Sequence, residues 1–567
     1  MAPVIYTSPH PRQELPSTSL FTFLFSGNHD PASPAYIDVL TKRVLSRADV
    51  RSMALQVGYS ARNQLKLKKG EVALVFSPNS IAWPVVLLGI VAAGGIATLA
   101  NASYTPPELA HQYKDSGARL LFVHPALLPV AQKMFESIGV SKKDAEARMV
   151  LMDLDSTGAN GIRGLKSLIT GKALSQEEPF DGKRSHETAV VCYSSGTTGR
   201  PKGVETTHRN LSSDISLLNA VSDWGKHDTF IGVLPFFHVY GLVMLVLNPL
   251  LLGAAVAVVP QFVPDVFFRA LEEYRITRAM IVPPIALAFV HHPAAAKHDL
   301  RTLKTIVSGA APLSGELISI LDKRLKSLGT DVTITQGFGM TELSPVSHFV
   351  CFPDARRGKA TTIGQLLPNL EARLIASDER NIVDAKVGEP GELWVRGPIV
   401  MKRYLKNEKA TKDTMTKDGW LKTGDVAIID KEGFFSIVDR KKELIKYKGF
   451  QVSPAELEDL LLGHPEIMDA AVIGIPAPDN SGNELPRAYV VRAPKSTSEP
   501  DVFVKYIASR VAKHKQLLGG VVFIDAIPKS AAGKILRREL RERAKAERPV
   551  KAKLLLIVRR GVSYTLI

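Results

Sequence analysis

The sequence predicts an α/β protein with a large N-terminal body of packed, parallel-rich sheets and helices, a small antiparallel segment closing that body, and a small C-terminal α/β lid domain. Three observations carry this. The chain of 567 residues is too long for a single hydrophobic core. Short apolar runs alternate with helical stretches over most of its length. From about Gly388 the texture changes to shorter strands with Gly-rich turns.

The elements follow in order. Residues 71–76, EVALVF, form the first apolar run, followed by an apolar helix candidate and Ile96-Ala-Thr-Leu-Ala. The pattern recurs at Leu120-Leu-Phe-Val, Arg148-Met-Val-Leu-Met, Ala254 to Val259, Ala279-Met-Ile-Val and Thr305-Ile-Val. Helical stretches such as Val266 to Tyr274 and Gly315 to Leu328 separate several of these, which argues for parallel sheets. GELWVRG and DVAIIDKEGFFSIVDR supply the antiparallel segment. After it the sequence predicts helix Pro454 to Leu462, strand Met468 to Ile475, strand Arg487 to Val491, helix Val502 to Lys513 and strand Val521 to Ile524. The expected domains are 1–438 as body, 439–547 as lid and 548–567 as a basic and apolar tail.

The apolar fraction of 45% and charged fraction of 23% are ordinary for a globular protein. Cys192 and Cys351 cannot make a disulfide framework at this length, and a reducing compartment fits best. The formal charge is +16, and Lys534 to Ile567 holds 11 Lys and Arg against 3 Glu, a net +8. Such a tail suits a solvated helix, an anionic surface or a phosphate-rich cofactor. Without zinc-finger spacing or an aromatic ribonucleoprotein motif, nucleic acid is not an expected partner. Ile81 to Ala100 and Gly241 to Pro260 are long enough to span a bilayer but carry internal Pro and Gly and no flanking aromatic and basic anchors. They read as buried elements of the core.

The most informative segment is Tyr193-Ser-Ser-Gly-Thr-Thr-Gly-Arg-Pro-Lys-Gly203. Small residues bring backbone N–H groups close to a ligand, Ser194, Ser195, Thr197 and Thr198 add hydroxyls, and Lys202 adds a positive charge. The composition is that of a polyphosphate cradle. It is not a Walker A loop, because Pro201 precedes Lys202 and Gly203 follows.

This segment resembles the phosphate-loop signature of the adenylate-forming superfamily of acyl-CoA synthetases, adenylation domains and beetle luciferases. The resemblance continues in order through Ser308-Gly-Ala-Ala-Pro312, Gln336-Gly-Phe-Gly-Met-Thr-Glu342, Gly419-Trp-Leu-Lys-Thr-Gly-Asp425, Asp439-Arg-Lys-Lys-Glu-Leu-Ile-Lys446 and Pro528-Lys-Ser-Ala-Ala-Gly-Lys534. LPFFHVYG and KYKGFQVSPAELE are most similar to 4-coumarate:CoA ligases of plants and their fungal relatives.

The resemblance implies a reaction and a set of roles. ATP activates a carboxylic acid as an acyl-adenylate with release of pyrophosphate, and the acyl group then passes to coenzyme A with release of AMP. Ser194, Ser195, Gly196, Thr197, Thr198, Gly199 and Lys202 would cradle the phosphates. Gly309, Ala310 and Ala311 would face the adenine with Gln336, Gly337, Phe338 and Gly339. Thr341 would reach the α-phosphate, and Glu342 would offer magnesium a hard oxygen ligand. Asp425 and Arg440 would hold the ribose, and Lys534 would offset charge building on the α-phosphate. Lys442, Lys446 and Gln451 surround a hinge at Asp439-Arg440, about which the lid is mobile in relatives and presents one face to each half-reaction. Lys448 and Gly449 would border the coenzyme A tunnel. His238, Tyr240, Gly309, Gly337, Pro345 and Val346 would form the acid pocket, with His238 as a gate. Outside this context Asp425 would read as a turn cap, Glu342 as a helix-start residue, Lys534 as a solvated lysine and His238 as a core residue.

The chain departs from the coumarate ligases at Val243, where Asn is usual, at Val307, where Lys is usual, and in GMTELSPV for GMTEAGPV. These changes predict a more apolar pocket, suited to a medium-chain fatty acid or an unsubstituted aryl acid as well as to a hydroxycinnamic acid. Arg403 stands where a VMKGY-like segment usually has Gly. The chain ends in Tyr564-Thr-Leu-Ile567 rather than a Ser-Lys-Leu type tripeptide and opens without a secretory pattern, so a cytoplasmic location is expected. Other readings are an adenylating enzyme delivering to a carrier protein or another nucleophile, a non-catalytic nucleotide-binding protein, and a basic surface binder driven by the tail.

Overall fold

The computed structural model describes residues 3–194, 201–376, 382–440, 442–448, 450–478, 483–494, 496–530 and 533–547, with the backbone alone of Gln451. The chain divides into two compact units, residues 1–442 with 531–534 and residues 443–530 with 535–567. Division after Lys442, rather than before Asp439, follows from strand pairing. Strand Phe435–Arg440 completes the antiparallel sheet of the first unit, with Arg440 opposite Asp425.

The first unit holds three sheets. One runs, in spatial order, 403–404, 202–207, 188–194, 96–100, 72–76, 120–123, 149–151, 162–164, 158–159. Its central strands are parallel and the two at its 403 edge antiparallel. The second runs 365–366, 346–349, 333–339, 305–308, 278–281, 229–232, 255–258, 34–38, 44–46, again parallel in the middle and antiparallel at both ends. The third is antiparallel, ordered 6–7, 371–375, 391–396, 421–429, 435–440. Parallel strands must be covered on both faces, which is why their sequences are continuously apolar.

The two candidate membrane stretches lie inside this core. Helix Ala82–Ala92 is buried at every position and packs on helix Arg47–Asn63. A Cβ on Gly89 would fall 2.6 Å from the Val57 side chain, so the small residue permits the close approach. The second stretch becomes a π-helical turn Leu242–Leu247, helix Asn248–Leu252 and strand Ala255–Val258. Among the described residues no helix is long and apolar enough to cross a membrane.

The second unit contains hairpin 445–447/450–452, a three-stranded sheet of 467–476, 484–492 and 521–523, and helices Pro454–Leu462, Pro500–Ala508 and Arg537–Ala546. The Arg537 guanidinium sits between Glu458 at 2.7 Å and Glu443 at 3.1 Å, all three side chains no more than 10% exposed. The helix expected to reach Lys513 ends at Ala508, because Arg510 turns back over the Tyr506 ring and donates to the Tyr506 carbonyl.

Candidate functional site

Strand Lys202–Thr207 emerges from the candidate phosphate segment and pairs with Arg403–Tyr404. Pairing carries the Tyr404 ring under Lys202, whose Nζ stands 4.2 Å from the ring centroid. The Tyr404 hydroxyl donates to Glu342 Oε1 at 2.8 Å. Burial and the neighbouring Glu342 raise the phenol's pKa, so it stays a donor. An ammonium, a phenol and a buried carboxylate therefore form one row. The same pairing explains Arg403, whose Nε donates to buried Glu205 at 2.8 Å directly across the strand pair, with Thr188 Oγ1 holding the other Glu205 oxygen at 2.7 Å.

The described residues contain no group of three or more His, Cys, Asp or Glu able to cage a metal ion. Glu342 alone, buried and held by Tyr404, fits a magnesium ion whose remaining ligands are substrate phosphates and water. Ser194 ends strand Thr188–Ser194, and its buried Oγ has no partner among the described residues. Thr341 is buried at the start of the turn Thr341–Leu343. Ser195, Gly196, Thr197, Thr198, Gly199 and Gly449 lie outside the described residues.

The Gln336 side chain is engaged by backbone on every side. Its Oε1 accepts from Leu313 N at 2.7 Å, and its Nε2 donates to the carbonyls of Leu313 and Ala360 at 3.0 and 2.7 Å. It thus holds the segment after Gly309, Ala310 and Ala311 in place, while Ala310 takes a left-handed φ of 66°. Gly337, Phe338 and Gly339 continue its strand. Asp425, 4% exposed, faces Arg440 across the antiparallel sheet with Nε to Oδ1 at 3.1 Å.

His238, Tyr240, Gly309, Gly337, Pro345 and Val346 all line one cavity of the first unit. Asn79 fixes the segment that leads to His238: its side-chain nitrogen donates to the carbonyls of Gly232, Leu234 and Val259, and its oxygen accepts from Phe236 N at 2.8 Å. His238 then caps the next turn, Nδ1 accepting from Tyr240 N at 3.3 Å, which leaves the proton of the neutral ring on Nε2. Burial pushes its imidazole down to about 4. Tyr240 donates its hydroxyl to the Val307 carbonyl at 3.2 Å and lays its ring 3.0 Å from where a Cβ on Gly309 would stand. Val307 lines the cavity as the sequence departures suggest; Val243 is fully buried in the π-helical turn and does not. Leu218, Met244 and Phe349 also line it, and sequence reading missed them because they come from three elements far apart in the chain.

In the hinge region Lys442 is exposed at the end of the first unit, and Lys446 and Lys448 are exposed on the hairpin of the second. The hairpin is tied down through backbone: Lys446 N donates to Glu484 and Lys448 N to Asn483, with Lys448 at a φ of 49°. Gln451 pairs with Lys446 in register. Lys534 is half-buried in the loop before helix Arg537–Ala546.

Residues 25–405 match the family described as AMP-binding enzyme, and residues 456–534 match the AMP-binding enzyme C-terminal domain. The chain is 37% identical over 536 residues to a probable CoA ligase, CCL5, of Humulus lupulus, covering 92% of each. It is also 37% identical to the peroxisomal OPC-8:0-CoA ligase 1 of Arabidopsis thaliana, covering 94% of each, and to a probable 4-coumarate–CoA ligase 1 of Dictyostelium discoideum, covering 85% of this chain and 87% of that one. Among solved structures, ATP-bound MatB from Rhodopseudomonas palustris superposes with a TM-score of 0.81 at 26% identity, over 93% of this chain and 99% of that chain. The anthranilate CoA ligase AuaEII in complex with anthranoyl-AMP also gives 0.81, at 25% identity, over 94% and 98%. The chain belongs to the AMP-binding enzyme family, and within it to the AMP-forming acyl-CoA synthetases related to 4-coumarate:CoA ligase.

Proposed function

We propose that this synthetase activates an apolar carboxylic acid, a medium-chain fatty acid or an unsubstituted aryl acid, and delivers it to coenzyme A. The observation that carries the choice of acid is the cavity lining. Leu218, Met244, Val307, Val346 and Phe349 face it, the His238 ring is neutral, and the Tyr240 hydroxyl is engaged by backbone. Such a lining rewards apolar surface, with the Ser308 hydroxyl and the His238 ring as its polar points.

In the first step a carboxylate oxygen of the acid attacks the α-phosphorus of ATP, and pyrophosphate leaves. Lys202, Ser194 and the 195–199 segment would hold the phosphates, Thr341 the α-phosphate, and Asp425 with Arg440 the ribose. Gly309 to Ala311 and Gln336 to Gly339 would hold the adenine, Gln336 by fixing its loop. Magnesium, when bound at Glu342, neutralises phosphate charge. Lys534 would place an ammonium where charge grows. In the second step the thiolate sulfur of coenzyme A attacks the acyl carbonyl carbon, and the C–O bond breaks with its electron pair leaving on AMP. Lys442, Lys446, Gln451, Lys448 and Gly449 would serve this half, with His238 gating acid from thiol. The first unit would act as body and the second as lid, with the tail 548–567 dispensable for catalysis. A cytoplasmic site of action fits two unpaired cysteines, Cys192 and Cys351.

The test is acid-dependent pyrophosphate release over cinnamic, coumaric, benzoic, phenylacetic and medium-chain fatty acids, with and without coenzyme A. Release with an apolar acid, accelerated by coenzyme A and yielding acyl-CoA, is the expected result. Preference for coumaric acid overturns the choice of acid, and indifference to coenzyme A moves the acceptor to a carrier protein.

A further inference from the structure

Helix His208–Asn219 is anchored along its length. Thr207 and Asn210 form a capping box, Asn210 Nδ2 donates to the carbonyls of Pro398 and Val400 at 2.7 and 3.0 Å, and Asn219 Nδ2 donates to Asn248 Oδ1 at 2.8 Å. In its middle stands Asp214, 0% exposed. One carboxyl oxygen accepts from Val346 N at 3.0 Å, across 132 residues of sequence. The other oxygen has no hydrogen-bond partner among the described residues. Burial raises the carboxyl's pKa well above the usual range.

Asp214 adjoins the cavity without being among its lining residues. Leu218, one turn further along the same helix face, lines the cavity, and so does Val346. The Pro345–Val346 wall is held by two hydrogen bonds, Met340 N to the Pro345 carbonyl at 3.0 Å and Val346 N to Asp214. Ser344, just before it, has a left-handed φ of 69°, and a Cβ on Gly339 would fall 2.1 Å from the Pro345 carbonyl oxygen. The wall is therefore close-packed on one side, runs into the paired strand Val346–Phe349, and is bonded to a single carboxyl on the other. An apolar side chain at 214 would leave the Val346 N–H buried and unsatisfied, and the segment would shift to find another acceptor.

We propose that Asp214 is a positioning residue that fixes the Pro345–Val346 wall and thereby sets which acids the cavity accepts. This rests on the reading of that cavity as the acid pocket. The carboxyl acts as an acceptor of fixed reach, so its isosteric amide should replace it.

The test compares Asp214→Asn and Asp214→Ala with the parent enzyme, measuring KM for a ladder of straight-chain and aryl acids, KM for ATP, and the melting temperature. Asp214→Ala should raise KM for the preferred acid by about tenfold, the effect of one lost buried hydrogen bond, and flatten the preference along the ladder. Its KM for ATP should stay within about twofold, and Asp214→Asn should keep acid KM and preference within about twofold. An unchanged acid ladder in Asp214→Ala, equal rises in KM for acid and ATP, or a large change in Asp214→Asn each overturns the proposal. Should Asp214→Ala not fold, Asp214→Thr, too short to reach Val346 N, carries the same comparison. Met244→Ala separates the two levels. If it alters the acid ladder and Asp214→Ala does not, only the positioning role falls; if neither alters it, the pocket reading falls.

Discussion

The cavity of the first unit and the hairpin of the second treat their polar groups in opposite ways. Around the cavity three polar side chains are held by neighbours: Tyr240 by the Val307 carbonyl, Gln336 by three backbone groups, Glu342 by Tyr404. On the hairpin Lys446 and Lys448 are exposed, and their backbone N–H groups bond to Glu484 and Asn483. The first region works by fixed geometry, which is lost when a supporting bond is lost. The second presents long cationic chains to solvent.

The largest expected effect belongs to Lys534, a half-buried amine outside both regions, counted with the first unit. Lys534→Ala should lower acid-dependent pyrophosphate exchange by about 10²- to 10³-fold, while its melting temperature stays near that of the parent. Unchanged exchange would place Lys534 outside the chemistry and weaken the contrast. Next comes a supporting bond of the first kind. Tyr404→Phe removes the donor to Glu342 and should cost about tenfold in kcat/KM for ATP, with a higher magnesium requirement, since orphaning a buried carboxylate costs about 1–3 kcal/mol. A loss that added magnesium fails to relieve would count against Glu342 as its ligand. Gly309→Val pushes a side chain into the Tyr240 ring and should raise KM for the acid about fivefold with a smaller change for ATP, as measured by initial rates.

The smallest effect concerns stability. Burial holds the imidazoles of His208 and His348 down to about 3 and that of His238 to about 4. In the unfolded chain these rings titrate near 6.5, so between pH 6.5 and about 4 the unfolded state binds more protons. Stability should therefore be fully present above pH 6.5 and fall as the pH drops through that window, with His348→Gln making the fall in melting temperature shallower.

Much of this organisation is legible in the sequence. The strand runs, the antiparallel texture after Gly388 and the helix Pro454–Leu462 are local patterns, and they appear where the periodicity puts them. Six expected acid-pocket residues meet in one cavity, carried there by the turn at 238–241 and by strands 305–308, 333–339 and 346–349 or the residues beside them. What the sequence hides is pairing across distance. Tyr404 and Arg403 take their meaning from strand 202–207, Asn79 from residues 150 or more positions away, and Asp214 from Val346; no local period encodes such partners. The helix ending at Ala508 was hidden for a different reason, a single arginine competing for a carbonyl.

The engagement of Gln336 bears on any attempt to retarget the enzyme. One amide fastens the segment that borders the cavity at Gly309 and Ala310 and that continues to Leu313. Enlarging the cavity from that side would disturb whatever rests on the other side of the same loop, so gains in acid range there would be paired with losses in nucleotide handling. Leu218 and Met244 come from helical segments with no tie to Gln336, and libraries built at those two positions should widen the acid range with ATP use intact.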